Sequence, residues 1–239
     1  MKRKWLKYAL LSLLLLALST STYAQATFEL PVGMELEYSF HYNGSKIGTM
    51  QRSLSQSPNQ DYIFESHVQA TSLLARLFLK EIKEKSVFSF EQGRAKPLRY
   101  EYTRRGSKNR QYEIDFDWQK KQASDTSQET PWTLDIPNET SDKHLYQLNV
   151  MFDMQSQPDS LQYAVADRGR LKNYDIENQG KETIKTPLGD LEAIKLHRQA
   201  EKRSTTIWVS PEYNYLPIQV IHDEKGKKFK SVIKSISGL

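Results

Sequence analysis

Apolar and polar side chains alternate along this chain at a period of two, and the alternation restarts roughly every ten residues. No other feature restricts the fold as much. In an extended backbone successive side chains point to opposite faces, so such a run makes a strand with one face buried and one wet. Met34, Leu36, Tyr38, Phe40 and Tyr42 take one face of the first run, and Glu35, Glu37, Ser39 and His41 take the other. Asn43-Gly44 follows, a dipeptide that tolerates the two positive φ angles of a type I′ hairpin turn. A return strand is expected over Ile47–Leu54. Further runs centre on Tyr62, Phe64 and Val68, then Phe88 and Phe90, then Leu98, Tyr100 and Tyr102. Tyr112, Ile114, Phe116 and Trp118 continue the series. In the C-terminal third the sets are Leu161/Tyr163/Val165, Ile194/Leu196, Ile207/Val209, Ile218/Val220 and Val232/Ile236. This is the signature of about twelve short antiparallel strands in a mainly β chain, forming a large curved sheet, an open barrel or a sandwich.

The alternation breaks twice in favour of helical spacing. In Thr71–Lys80, Leu73, Leu74, Leu77 and Phe78 share one helical face, and Thr71 or Ser72 can cap it. In Ser141–Met154 the corresponding residues are Leu145, Leu148, Met151 and Phe152. Two helices packed over an edge or a mouth of the sheet would protect its unpaired backbone groups. Lys120–Asn138 is polar, contains Pro131 and Pro137, and reads as a long loop with at most a short strand.

The first residues follow a different logic. Lys2, Arg3, Lys4 and Lys7 precede an apolar run from Ala9 to Leu18, and a small polar stretch leads to Ala24-Gln25-Ala26. That order is the order of a secretory signal peptide. The apolar run is about half the ~20 residues that span a bilayer. Residues 1–24 are therefore expected to be removed after Ala24, with Ala26 as the alternative, leaving 25–239 as a single β-rich domain. The whole sequence carries 34 Lys+Arg against 29 Asp+Glu. Four of the basic residues and none of the acidic ones lie in the first 26 positions. The remainder is nearly neutral, so the basic isoelectric point argues for an export signal rather than for nucleic acid.

Little in the chain announces chemistry. There is no cysteine, hence no disulfide, thiolate metal site, cysteine nucleophile or lipid-anchored cysteine. None of His41, His67, His144, His197 and His222 has another histidine at metal-binding spacing. Asp115 and Asp117 share a strand face, which can serve a cation or acid–base work, but Glu113 on the same face makes a solvated strand the simpler reading. The glycines are dispersed at turns and form neither a P-loop nor a dinucleotide fingerprint. No catalytic residue, metal site or cofactor is assigned. Two basic clusters, Arg94–Arg110 and Lys225–Lys234, could meet an anionic envelope component.

The residues also carry a resemblance. Tyr38, Asn43-Gly44 and Ile47-Gly48 open it. Leu73-Leu74-Ala75-Arg76, Glu84, Ser86, Phe88 and Gly93 continue it. Pro97-Leu98, Tyr100, Asp115-Phe116-Asp117-Trp118 and Thr186-Pro187-Leu188-Gly189 follow, and Trp208-Val209-Ser210-Pro211 and Tyr215-Leu216-Pro217 complete it. Together they resemble the DUF3108 family, exported bacterial proteins of unknown function. The resemblance implies a β-rich periplasmic envelope protein and supplies no catalytic residues.

The expectation is a non-catalytic periplasmic protein that binds or carries an apolar or amphipathic envelope ligand. The helix bearing Leu73, Leu74, Leu77 and Phe78 is its candidate ligand-binding element, as a lid over an apolar cavity. The expected partner is a lipid or other anionic envelope component and not nucleic acid. The alternative is a structural or protein–protein interaction factor of the envelope. An enzyme would require distant residues, such as Asp115, Asp117 and a histidine, to converge in a cleft.

Overall fold

The computed structural model describes residues 29–91 and 93–239. The expected signal peptide and both cleavage positions lie outside the described residues. The first half of the chain makes β1 (Glu35–Tyr42), β2 (Ser45–Gln56), β3 (Tyr62–Ala70), helix α1 (Leu73–Phe78), β4 (Leu79–Glu91), β5 (Arg94–Gly106), β6 (Arg110–Asp117), β7 (Gln122–Asp125) and β8 (Trp132–Asp135). Then come β9 (Ser141–Asp142), helix α2 (Tyr146–Asp153), β10 (Ser160–Asp167), β11 (Arg170–Thr186), β12 (Gly189–Ala200), β13 (Arg203–Ser210), β14 (Leu216–Glu224) and β15 (Lys227–Ser237).

All fifteen strands belong to one sheet, in the order β8 to β1 followed by β15 back to β9. The chain starts at the centre of the sheet, meanders outward to one edge at β8, crosses to the other edge at β9, and meanders back to pair β15 with β1. Every ladder is antiparallel except the short β9–β10 pair. The Asn43-Gly44 turn has φ of 46° and 86°, as the sequence demands.

Helix α2 lies in the crossing, and all of its residues but Gln147 and Asp153 are buried. Leu148, Met151 and Phe152 pack with Leu36, Tyr38, Leu54, Phe64 and Phe88 of the first meander. Tyr146 and Val150 pack with Leu161, Val165, Ile176 and Leu196 of the second. The curled sheet therefore wraps a helix and leaves its interior filled. The two sheet edges do not join by a ladder. Side chains tie β9, Lys143 after it and the end of β10 to inner strands of the first meander, β4 and β6: Tyr112 donates to Asp167 at 3.2 Å, Ser86 to Asp142 at 3.1 Å, and Lys143 pairs with Glu84 at 3.2 Å.

A mainly β, curved, unclosed sheet with two helices is what the sequence predicts, with more strands than the alternation reveals. The polar stretch 120–138 holds two four-residue strands, β7 and β8. They are too short for periodicity to register. Strand β11 is long but bulged between Asn178 and Lys181, and both of its faces are wet around Gly180, so its alternation is lost.

The placement of α1 corrects an expectation. The helix was to pack its apolar face over an edge or a mouth of the sheet. Instead Leu73, Leu74, Leu77 and Phe78 are 80, 75, 67 and 67% exposed, and Ala75 is its only buried residue. The physical reason is local. The helix has six residues and bridges two neighbouring strands. Its ends are fixed by Ser72 capping Ala75 N–H at 3.1 Å and by Arg76 Nε donating to the Ala70 carbonyl at 3.2 Å. Gly106 lies so close that a Cβ there would stand 2.6 Å from the Phe78 carbonyl oxygen. Held this way, α1 stands on the rim with Ala75 as its one buried residue.

Candidate functional site

Three places combine functional groups: a polar cluster buried at the entrance to α2, clefts on the sheet, and the rim carrying α1.

The buried cluster is built where the chain passes from β9 into α2. Asp142 accepts from the backbone N–H groups of His144 (2.8 Å) and Leu145 (2.7 Å), so it orders the turn that leads into the helix. Its Oδ1 also accepts from Ser86 of β4, and Ser86 Oγ lies 3.2 Å from His144 Nδ1. Phe64 stacks on the His144 ring at 4.3 Å. Next to this, Glu84 accepts from Tyr100 OH at 2.7 Å and pairs with Lys143. The Lys143 ammonium lies 3.9 Å from the Tyr102 ring centre. Asp167 pairs with Lys172 and accepts from Tyr112.

Burial dictates the protonation states. It raises Asp142 to about 6 against the bonds it accepts, and it lowers His144 to about 3. Burial alone would raise Glu84 as well, but Lys143, His144 and the Tyr100 hydroxyl bring it down to about 2. Burial also raises Tyr38 to about 12, although Arg52 lies near.

Serine, histidine and aspartate together suggest nucleophilic catalysis, but the geometry is different. In a nucleophilic triad the aspartate orients the histidine and the histidine activates the serine. Here the Asp142 side chain bonds Ser86 and two backbone amides, and not the imidazole. All three residues are buried, and none lines any of the three principal clefts. Asp142 Oδ2 and His144 Nε2 have no hydrogen-bond partner. The cluster fastens β9 and the approach to α2 onto β4 and β5 of the first meander.

A trough of about 680 Å³, open to solvent on β1–β5, is lined by Glu35, Glu37, Glu65, His67, Lys83 and Lys85 among others. Glu81 beside it pairs with His67 (3.2 Å), Lys83 (3.5 Å) and Arg105 (3.4 Å). The charges are mixed and mutually paired, as on a solvated sheet face. Asp115 and Asp117 meet no histidine. Asp115 pairs with Arg99 at 3.1 Å, while Asp117 accepts from the backbone of Gln119 and Lys120 in the β6–β7 turn. Among the described residues no group of three or more His, Asp or Glu side chains could hold a metal ion.

A second cleft, about 530 Å³, runs along the seam between Lys96, Trp118 and β10. Asn178 N–H donates to the Asp159 carbonyl at 2.9 Å. That bond sets a register in which Gln162 directs its N–H and C=O away from β11. Strand β9 covers β10 only at Val165 and Ala166, so Gln162 presents a strand edge to the cleft.

The third place is the rim. The structure brings Leu73, Leu74, Leu77 and Phe78 together, as their spacing predicts, but on the outer surface and not over a cavity. They form the densest set of exposed large apolar side chains among the described residues.

The fold and the filled interior define a class: a β-barrel-like protein wrapped around a buried helix. The chain belongs to the DUF3108 family, whose model, described as a protein of unknown function, matches residues 37–229. Among solved structures the chain is similar to a beta-barrel-like protein of domain of unknown function DUF1849 from Brucella abortus. The TM-score is 0.54 at 8% identity, over 86% of this chain and 97% of that one. At that identity the likeness concerns the fold. No curated protein matches the sequence.

Proposed function

We propose that this protein is exported to the periplasm and acts there without catalysis, by binding an apolar or amphipathic component of the cell envelope on its outer surface at α1. The carrying observation is the contrast between the two helices. Helix α2 fills the interior where a carrier would hold its ligand, and α1 leaves four large apolar side chains in water. An exposed apolar patch on an otherwise polar surface marks an interaction site. The leader-like order of residues 1–26 supports export.

Photo-crosslinking from position 74 in living cells tests this, with position 85 on the outer sheet face as control. The expected result is a periplasmic protein that crosslinks to an envelope component from position 74 and not from 85. Retention in the cytoplasm, or equal labelling from both positions, overturns the reading.

The open β10 edge favours a second reading, in which an extended segment of an envelope protein adds to the sheet at Gln162. Crosslinking from position 162 would then capture one defined protein.

A further inference from the structure

The rim that carries α1 has a charge pattern that the apolar patch alone does not explain. The strand order β6-β5-β4-β3-β2-β1-β15-β14 places four connections side by side at one end of the sheet. They are the β5–β6 turn, α1, the β1–β2 turn and the β14–β15 turn. Backbone contacts hold them in a row. Ser107 N–H donates to the Phe78 carbonyl at 3.3 Å, Thr71 N–H to the Ile47 carbonyl at 3.0 Å, and Asn43 N–H to the Lys228 carbonyl at 2.8 Å.

The segments that make this row are 104–110, 71–80, 42–46 and 225–230. Every one contains Lys or Arg, and none contains Asp or Glu. Lys46, Lys80, Lys108, Arg110, Lys225 and Lys227 have no ion-pair partner among the described residues. The nearest acids lie at the margins of the row: Glu81 pairs with Arg105 at 3.4 Å, Asp223 reaches Lys228 at 4.0 Å, Glu224 before Lys225 pairs with Arg203, and Glu201 stands in the next turn beyond, β12–β13. A row of turns with an excess of unpaired basic residues, its acids confined to the margins, therefore flanks Leu73, Leu74, Leu77 and Phe78.

We infer that this rim docks on the surface of an anionic phospholipid bilayer, with the α1 side chains entering the interface and the basic turns lying on the headgroups. The inference rests on the surface-binding reading above and names the partner. Two features favour a lipid surface over a protein groove. The apolar residues protrude from a short helix and are not set in a complementary concavity. The cations are spread over four turns without directed pairing, which suits a diffuse negative surface better than a fixed set of carboxylates. Apolar insertion and basic attraction act as the two signals that stable but reversible membrane attachment requires.

The test uses the chain without its leader and vesicles of phosphatidylglycerol mixed with phosphatidylcholine, against phosphatidylcholine alone. Cosedimentation is expected with the mixed vesicles only, and to weaken as salt rises. Phe78→Trp reports insertion through a blue-shifted emission. Leu77→Asp with Phe78→Asp is expected to weaken binding about tenfold or more. Lys108→Glu with Arg110→Glu removes the preference for anionic vesicles. These positions are exposed, so circular dichroism should show the variants folded. Equal binding to both vesicle types, or binding unchanged in both double variants, overturns the inference. If vesicles are not bound while position 74 still crosslinks to an envelope protein, lipid docking fails and the surface-binding reading stands. If neither occurs, both fail.

Discussion

His144 is a histidine held neutral beside a carboxylic acid held partly protonated, and the two respond to pH in opposite directions. Burial lowers His144 from 6.5 to about 3. The unfolded chain therefore takes up a proton between those values when the folded chain does not. The stability tied to neutral His144 is complete above pH 6.5 and is lost as pH falls toward 3. Burial raises Asp142 from 3.8 to about 6. There the folded chain keeps the proton longer, so stability falls as pH rises from 3.8 toward 6. Each group changes stability by at most about 1.4 kcal/mol per pH unit, so between about pH 4 and 6 they oppose each other. His144→Phe should expose this. The denaturation free energy of the unmodified protein minus that of the variant is expected to rise with pH from 3 to 6.5 and to level off above. A difference that does not vary with pH would show that His144 takes up its proton in the folded chain as readily as in the unfolded one.

At the scale of elements, α1 and α2 carry the same signal in sequence and meet opposite fates. Both show large apolar residues three and four apart, which identifies a helix with an apolar face. The spacing says nothing about whether another element is available to cover that face. Helix α2 follows a crossing through the sheet interior and is covered from both meanders. Helix α1 is a six-residue bridge between adjacent strands and is left on the rim. Substitutions should separate them in chemical denaturation. Leu148→Ala is expected to cost about 2–5 kcal/mol through a cavity, and Leu77→Ala to stay within about 0.5 kcal/mol. A large loss at Leu77 would mean that α1 packs in solution. The strands were legible for a related reason. Alternation reports a half-buried face directly, so β1 and β6 can be read off Leu36/Tyr38 and Ile114/Phe116. β9 has two residues and β7 four, too few for a period to appear. The buried cluster left less trace still, because Ser86 and His144 are 58 positions apart and their meeting depends on how the sheet curls. The basic rim was half legible: its basic clusters stand out in sequence, but only the strand order sets them beside α1.

For the molecule as a whole, the ring of strands has two joints of different kinds. At the centre of the sheet, β1 and β15 pair in register from Glu35↔Ser237 to Tyr42↔Phe229 through one bulge. Opposite that ladder, β9 and the end of β10 are tied to β4 and β6 by side chains such as Tyr112–Asp167 and Ser86–Asp142. Chain ends usually fray, because few contacts hold them. Here the first and last strands are flanked on both sides by other strands, by β2 and by β14, and β1 contributes Leu36 and Tyr38 to the core around α2. The frayed end of the ring should be the seam, where β8 pairs on one side only and β9 spans two residues. Native-state hydrogen exchange measures this order through local opening free energies. Amides of β1 and of the middle of β15 are expected to be among the slowest, close to global unfolding. Those of β8 and β9 should exchange by local opening. Tyr112→Phe removes one of the side-chain ties and should speed exchange at the seam while leaving β1 and β15 nearly unchanged. If β15 instead opened together with β8, the β1–β15 ladder would not be the joint that holds the two meanders together, and the seam with α2 would take that role.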